Sequence, residues 1–381
     1  MRMNRANIKQ AAAALLFLGA LITGCRKDPK VTPEETDRVT DQDLASKKSF
    51  YLLNEGNMNM NKASLDFFDT STGDYRRNIY EQANPGVVRG LGDVGNDIHI
   101  YGSKLYIVVN NSNKVEVLDA RTVKKLGQID IVNCRYITFF EGKAYVSSYQ
   151  SRTTSDASAN GYVARIDTST FSIEQKVSVG RQPEQMAVSN GKLYVANSGG
   201  YDPGNYEKTL SVVDLRSFME IKRIEVGLNP ERVQADRYGD LYVTSRGDSY
   251  DVPSRLIVVS SETDQVKKTF EIAAINLSID GDRAYVIGDQ YSYISQQHTY
   301  SYALLNVKDE TIVASSFISD GTDRSIEKPY GLAIDPSNKD IYLSDAKDFL
   351  TPGTLYCFDK NGRKKWSVTT GDIPAHFAFV N

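Results

Sequence analysis

The side chains that most often carry enzyme chemistry are few in this sequence and form no recognisable constellation. Its three histidines, His99, His298 and His376, share no spacing typical of a catalytic triad or a metal site. No Gly-x-Ser-x-Gly segment, which presents the nucleophile in many hydrolases, occurs. Many aspartates follow apolar runs, where a short carboxylate usually caps backbone N–H groups. The sequence therefore predicts no catalytic residue, no metal centre and no intrinsic cofactor.

A second group of residues is suited to binding rather than to reaction. Tyrosines recur between the apolar runs, mixed with Asn, Gln, Ser and Arg. Tyrosine offers rigid contact area with a polar end, and arginine accompanies it at binding hot spots. The candidate ligand-binding residues chosen on this basis are Tyr149, Tyr201, Arg246, Tyr250, Tyr291 and Tyr293. Some of the tyrosines are alternatively expected to cover the ends of strands.

These residues must be positioned by a strand pattern that repeats along the chain. A turn followed by Leu-Tyr-Val or a close variant occurs seven times, with tyrosines at positions 51, 106, 145, 194, 242, 285 and 342. The spacing of about 40 to 57 residues is close to that of a four-stranded propeller blade. No long segment has the 3.6-residue period of a helix. The pattern predicts an all-β fold, a seven-bladed β-propeller with four-stranded blades.

The two ends of the repeat predict how the ring closes. The propeller is assigned to residues 49–381, and it begins at Phe50 with a second strand. Residues 373–380 are predicted to form a first strand that has no second. Pairing these two segments completes blade one and leaves no open sheet edge.

The starts of the innermost strands supply a second set of candidate binding residues. In a propeller these positions surround the central channel, on the face that also carries the loops between second and third strands. Six of those seven loops, among them the loop predicted at residues 289–302, exceed the length that a hairpin needs, which favours a functional face. The inner set is Asp97, Tyr136, Gln185, Arg232, Asn276, Gly331 and His376. Asp97 is its one carboxylate, which is poor for metal binding. A polar set that merely lines a water-filled channel is the alternative.

The first 25 residues are predicted to be an export signal. Basic residues precede an apolar stretch at 11–22, which is too short to span a bilayer, and the segment ends in Leu-Ile-Thr-Gly-Cys. This ending resembles the lipobox of bacterial lipoproteins, in which cleavage leaves a lipidated N-terminal cysteine, here Cys25. An ordinary secretory signal is the alternative. Residues 26–48 are polar and lack aromatic side chains, which predicts a disordered tether between the lipid anchor and the propeller.

The charge and cysteine content of the chain restrict its binding partners and its disulfide pairing. The chain has 45 basic and 48 acidic residues, and removing the three basic residues of the leader moves the net charge from −3 to −6. This balance speaks against nucleic acid, which requires a basic surface. Cys134 and Cys357 could pair in an exported protein, but we place them in different blades and expect two buried free thiols. The soluble domain is expected to be a monomer.

Several segments carry a family resemblance. They are residues 52–57 (LLNEGN), 61–65 (NKASL), 91–98 (LGDVGNDI) and the blade starts at 182–184, 229–231 and 328–330. The chain resembles the YncE-like, or surface-layer, seven-bladed propellers and, more narrowly, BtuG-type surface lipoproteins. That resemblance covers nearly the whole chain. It implies cobalamin as a transported ligand and an outer-membrane TonB-dependent transporter as partner. It also implies a lipid-anchored domain at the outer membrane, exposed on the cell surface, without enzyme activity.

Two other functions are compatible with the same strand pattern. A glycan-binding or adhesive surface propeller would use a similar aromatic and polar face. A metal-dependent lactonase of propeller fold would need convergent carboxylates near the axis, and the inner set contains one. The resemblance does not identify individual residues that contact cobalamin.

Overall fold

Each Leu-Tyr-Val segment forms a buried strand of an antiparallel sheet in the computed structural model, which describes residues 35–39, 48–150, 157–292 and 295–380. Seven sheets are arranged in a ring, which confirms the seven-bladed β-propeller. β-branched and aromatic residues favour strands, and their burial on both faces explains the nearly continuous apolar runs. The lipidation candidate Cys25 and the binding candidate Tyr293 lie outside the described residues.

The strands follow the chain blade by blade. Those of blades one to three are β1 (Glu35–Arg38), β2 (Phe50–Asn54), β3 (Ser64–Asp69), β4 (Asp74–Arg77), β5 (Gly95–Tyr101), β6 (Lys104–Val109), β7 (Lys114–Asp119), β8 (Lys125–Asp130), β9 (Cys134–Phe140), β10 (Lys143–Ser148), β11 (Asn160–Asp167) and β12 (Ile173–Arg181). Those of blades four and five are β13 (Pro183–Ser189), β14 (Lys192–Asn197), β15 (Thr209–Asp214), β16 (Met219–Glu225), β17 (Pro230–Ala235), β18 (Asp240–Ser245), β19 (Arg255–Ser260) and β20 (Gln265–Phe270).

The remaining strands complete the ring. They are β21 (Asn276–Asp280), β22 (Arg283–Ser292), β23 (Gln297–Asn306) and β24 (Thr311–Ala314) of blade six, β25 (Pro329–Ile334), β26 (Ile341–Asp345), β27 (Pro352–Phe358) and β28 (Lys364–Asp372) of blade seven, and β29 (Pro374–Phe379). The helical segments of the described chain are α1 (Ile79–Ala83) and a 3₁₀ turn at Thr322–Ser325. Neither is long and apolar enough to cross a membrane.

Blade one is assembled from both ends of the propeller. β29 pairs antiparallel with β2, placing Phe379 opposite Phe50, which confirms the predicted closure. β1 adds a fifth, outer strand beside β4, with Glu35 opposite Arg77. These residues belong to the segment predicted to be a disordered tether, and the prediction is wrong for them. The cause is a specific partner: Arg77 forms ion pairs with Glu35, at 2.6 Å, and with Asp37.

The hydrophobic core lies between blades rather than at one centre. Seven buried clusters each join one blade to the next, and fully buried tyrosines such as Tyr106, Tyr194 and Tyr242 are among their members. Cys134 in blade three and Cys357 in blade seven are buried free thiols, which confirms that prediction. Because stability comes from blade-to-blade contact, the innermost strands are held close around the axis.

Candidate ligand-binding site at the channel mouth

The starts of the innermost strands deliver polar side chains to the axis. Five of the six predicted inner-set residues with functional side chains line one cavity of about 230 Å³, hereafter the channel cavity: Asp97, Gln185, Arg232, Asn276 and His376. The sixth, Tyr136, is 2% exposed and lies beneath the guanidinium of Arg232, whose carbon is 5.0 Å from the ring centroid. Gly331 sits where blade seven meets blade one, and a Cβ there would lie 2.4 Å from the carbonyl oxygen of Ala375.

Three of these side chains also connect neighbouring blades. Asp97 Oδ2 accepts a hydrogen bond from the backbone N–H of Ile137 at 2.9 Å, and Gln185 Oε1 accepts one from that of Val233 at 3.0 Å. Asn276 Nδ2 donates to the carbonyl oxygen of Tyr330 at 2.8 Å. A buried backbone group without a partner is costly, so these contacts stabilise the ring. Part of the inner set is therefore structural.

A second cavity, of about 400 Å³, lies among the loops at the same end of the strands, hereafter the mouth cavity. Tyr149, Tyr201, Arg246 and Tyr291 line it, and all four belong to the set predicted from the loops. Tyr250 does not line it and is 77% exposed. The loop tyrosines therefore divide between the cavity wall and the outer surface.

Tyrosines form one wall of the mouth cavity. The rings of Tyr149 and Tyr201 pack edge to face with their centroids 5.0 Å apart, a favourable arrangement for two aromatic quadrupoles. Asn133 Nδ2 donates a hydrogen bond to the Tyr201 hydroxyl at 2.9 Å. This contact fixes the orientation of the Tyr201 ring beside the cavity.

A β-hairpin forms another wall. Residues 289–302 were predicted to be a loop, but most of them extend strands β22 and β23, with Tyr291 opposite His298. Tyr and Thr favour strands, so the sheet continues past the blade. The centroids of the Tyr291 and His298 rings are 5.0 Å apart, and the Tyr300 ring stacks with His298 at a centroid distance of 6.0 Å. His298 Nδ1 also contacts Asp289 Oδ1 at 2.6 Å, which holds the imidazole at the cavity.

A buried ion pair lies between these walls. Arg135 Nε donates to Glu184 Oε2 at 3.0 Å, while the hydroxyls of Tyr149 and Ser198 donate to Glu184 Oε1. Burial opposes the charged form of Arg135, but the Glu184 carboxylate holds the Arg135 pKa well above its usual value. Burial and the same carboxylate raise the pKa of Tyr149 well above 10. The network therefore holds the Arg135 guanidinium and the Glu184 side chain in fixed positions at the cavity.

A second ion pair joins Glu231 to Arg246, with Nη1 3.1 Å from Oε2. Burial raises the pKa of Glu231, but the charges of Arg246 and Arg232 outweigh it, so the Glu231 pKa is lowered. The Glu231 carboxylate is thus ionised at neutral pH.

A third carboxylate holds the predicted ligand residue His376. Glu55 Oε1 is 3.0 Å from His376 Nε2, and Glu55 Oε2 accepts a hydrogen bond from the Tyr330 hydroxyl at 3.0 Å. Burial and the Glu55 charge raise the pKa of Tyr330 well above 10, so the phenol remains a donor. His376 is therefore oriented by a carboxylate and not free to rotate.

Asp97 is not the one carboxylate near the axis, as the strand alignment implied. Glu184 and Glu231 also line the mouth cavity, and each directly precedes a residue of the inner set, Gln185 and Arg232 respectively. The pairing of β13 with β14, and of β17 with β18, shifts register at those residues, so the alternation of a regular strand fails there. The repeated Pro-Glu pairs at 183–184 and 230–231 were the available signal. Within the described residues, no cluster of His, Cys, Asp and Glu is arranged to hold a metal.

Similar solved structures share the fold at low sequence identity. Kuenenia stuttgartiensis hydrazine synthase is 17% identical, covers 74% of this chain and 88% of its own, and has a TM-score of 0.60. A candidate 6-phosphogluconolactonase from Bacteroides uniformis is 12% identical over 89% of this chain and 100% of its own, with a TM-score of 0.58. A quinoprotein alcohol dehydrogenase-like protein from Bacteroides thetaiotaomicron is 15% identical over 90% and 80%, with a TM-score of 0.56. These likenesses concern the fold alone.

No curated protein matches the sequence. Residues 48–379, however, match the family described as a domain of unknown function, DUF5074. The match includes all seven blades except the outer strand β1, and it includes the residues of both cavities. The chain therefore belongs to the DUF5074 family, here with the fold of a seven-bladed β-propeller.

Proposed function

We propose that the protein binds a corrinoid, cobalamin, at the mouth cavity and passes it to an outer-membrane TonB-dependent transporter. The observation that carries the proposal is the composition of the mouth cavity. Two aromatic walls, built by Tyr149 with Tyr201 and by Tyr291 with His298, face a space that is also lined by the buried Arg135–Glu184 ion pair and by the half-exposed Arg246. Binding and release of a carried ligand require no reaction at this site.

The chemistry of the ligand suits these groups. A corrin is a broad disc with an apolar plane and a fringe of amides. Phenol rings supply stacking area, while carboxylates, guanidinium groups and the amides of Asn110 and Asn229 supply partners for the fringe. A cavity of about 400 Å³ is at the small end for a drug-sized ligand, so a corrinoid would protrude. A protruding ligand is accessible to a second protein, which favours handover.

The anchoring part of the proposal depends on Cys25. Lipidation of this residue would hold the propeller at the outer membrane, where the transporter resides. The variant Cys25→Ala is expected to release the protein from the membrane fraction, because lipid attachment would be lost. Unchanged retention of the variant in washed membranes would contradict lipid anchoring, while leaving ligand binding to be judged separately.

Calorimetry with cyanocobalamin tests the ligand directly. Wild-type protein is expected to co-elute with the red ligand on gel filtration. Tyr201→Ala and Tyr291→Ala are each expected to weaken binding by about 1–3 kcal/mol, or roughly 5- to 150-fold, mostly through faster dissociation. The matched control is Tyr238→Ala, because Tyr238 is exposed and lines neither cavity.

Two results would overturn the proposal. Absence of heat and of co-elution with wild-type protein would exclude cyanocobalamin, and a glycan array would then test the surface-glycan alternative on the same face. Equal weakening by Tyr238→Ala and the two cavity variants would show that the ligand binds elsewhere. The lactonase alternative has less support, because Glu55, Glu184 and Glu231 are each already paired with His376, Arg135 or Arg246.

A further inference from the structure

Arg232 is a buried arginine whose charge no carboxylate pairs. The residue is 9% exposed, its Nε makes no hydrogen bond, and no acidic oxygen of the described chain lies within ion-pair distance of its guanidinium. The neighbouring arginines differ, since Arg135 is paired with Glu184 and Arg246 with Glu231. Burial opposes the charged form of Arg232, but Tyr136, Glu231 and Glu55 together hold its pKa above the usual value, so the guanidinium stays charged. No carboxylate hydrogen-bonds it directly, which leaves its N–H donors available to an anionic partner.

The guanidinium faces a space large enough for such a partner. Arg232 lines the channel cavity of about 230 Å³ together with Gln185, His99 and His376. The Gln185 Oε1 is occupied by the Val233 N–H, whereas its Nε2 amide donates to no acceptor in the described residues. A second donor thus lines the same cavity as the arginine.

The acidic residue of this cavity is already engaged. Asp97 Oδ2 lies 3.4 Å from His99 Nε2 and accepts the Ile137 N–H at 2.9 Å. Its charge is therefore directed to other groups and does not satisfy Arg232. The Tyr136 ring supports the guanidinium from one side, 5.0 Å from its centroid, which limits the orientations that the arginine can take.

We propose that the channel cavity is a binding site for a small oxyanion, a carboxylate or a phosphate, held by the guanidinium of Arg232. The planar guanidinium offers parallel N–H donors that match two oxygens of either group, and charge assistance makes these hydrogen bonds strong. The Nε2 amide of Gln185 adds a neutral donor. The site is separate from the mouth cavity, where the proposed corrinoid rests.

The oxyanion can come from two sources. One is a free ion such as phosphate. The other is an anionic group on the larger ligand of the mouth cavity, and this second source rests on the proposed function. The site itself does not, because a free ion can be tested without any corrinoid.

Thermal unfolding with inorganic phosphate is the first test. At constant ionic strength set with sodium chloride, 20 mM phosphate is expected to raise the wild-type Tm by about 2–4 °C for a Kd on the order of 1 mM. The variant Arg232→Met should show no rise, because the guanidinium that holds the anion is lost. The matched control Arg237→Met should retain the rise, because Arg237 is exposed and paired with Asp282 at 2.7 Å.

A phosphate-dependent rise of equal size in wild type and Arg232→Met would overturn the proposal, as would no rise in wild type with phosphate or acetate. If Arg232→Met fails to fold, ³¹P line broadening with wild type and Arg232→Lys replaces it. Lysine keeps the positive charge but lacks the parallel N–H donors of the guanidinium, so phosphate is expected to bind at least tenfold more weakly. Unchanged broadening in Arg232→Lys would contradict the proposed site. A weaker apparent cyanocobalamin affinity in phosphate, seen with wild type and absent in Arg232→Met, identifies the ligand's anionic group as the source. An unaffected affinity identifies the free ion.

Discussion

Glu184 at the mouth cavity should be the most sensitive single position for stability. Its carboxylate accepts hydrogen bonds from Arg135 Nε at 3.0 Å, from Ser198 Oγ at 3.2 Å and from the Tyr149 hydroxyl, and its side chain is 6% exposed. The variant Glu184→Gln keeps the volume but removes the charge. It also replaces one acceptor oxygen by an amide NH₂ group. This group cannot accept a hydrogen bond, so it is placed unfavourably against one of the three donors.

The magnitude follows from the burial. Removing one partner of a buried ion pair typically costs about 3–5 kcal/mol, because the other charge remains buried without compensation. For a domain of this size such a loss lowers Tm by about 4–7 °C. Arg135→Met should lower the free energy of unfolding by a similar amount. Glu184 would then lose its charged partner and keep only two neutral hydrogen-bond donors, Ser198 and Tyr149. The double variant should be less destabilised than the sum of the singles, with a coupling energy of about 1–3 kcal/mol.

Urea denaturation of the four proteins in this cycle measures the coupling. Comparable m-values across the cycle are required for the free energies to be compared. The matched exposed pair Arg237 and Asp282, 2.7 Å apart, is expected to show a coupling below about 1 kcal/mol. A loss below about 1 kcal/mol in Glu184→Gln, or additivity in the double variant, would refute the assignment of this network as a buried, coupled pair.

Three further predictions concern the ring, the channel and the core. Gly331→Ala should destabilise the propeller by about 1–3 kcal/mol in urea denaturation, because the added Cβ would lie 2.4 Å from the Ala375 carbonyl oxygen; an unchanged midpoint would contradict this close packing. Burial lowers the pKa of His99 and raises that of Asp97, but their mutual attraction reverses both effects, so the His99 pKa is raised above 6.5 and the Asp97 pKa is lowered below 3.8. The stabilisation of the folded state by His99 is present below pH 6.5 and is lost as the pH rises through the folded-state pKa of His99. The stabilisation by Asp97 is present above pH 3.8 and is lost as the pH falls through the folded-state pKa of Asp97. Melting curves should therefore show the pair's largest contribution between these limits, and His99→Gln should flatten the alkaline side; an identical profile in the variant would exclude the pair. Burial raises the pKa of Cys134 to about 12, so iodoacetamide at pH 8 should modify it on unfolding and leave the native thiol intact, as mass spectrometry can verify.

Local sequence pattern predicted some, but not all, of the residues that line the mouth cavity. Tyr149, Tyr201, Arg246 and Tyr291 reach the mouth cavity as expected, because a loop between second and third strands has one possible face in a propeller. Tyr250 has the same sequence context and remains on the surface. The path of each loop depends on its contacts with other loops. The amino-acid composition of a loop does not predict those contacts.

The errors have similar physical causes. Residues 35–38, in the middle of the predicted tether, form β1 because Arg77, about forty residues later, pairs with Glu35. The predicted loop at 289–302 becomes a hairpin because two distant halves, Tyr291 and His298 among them, meet in register. Both outcomes depend on partners that are not neighbours in sequence.

Local patterns along the chain were enough to predict the blade count, the all-β class, the closure through the last strand and the two free thiols. Short apolar strands bounded by turn residues, repeated at intervals of about 40 to 57 residues, carry the prediction of the blades, and these signals are local in sequence. Which charges meet at the axis depends instead on how the seven blades pack around it. Each blade contributes one or two inner residues, and register shifts at the starts of β13 and β17 bring Glu184 and Glu231 to the mouth beside the predicted set. The pairing of Arg135 and Arg246, and the isolation of Arg232, follow from distances between blades that no single repeat encodes.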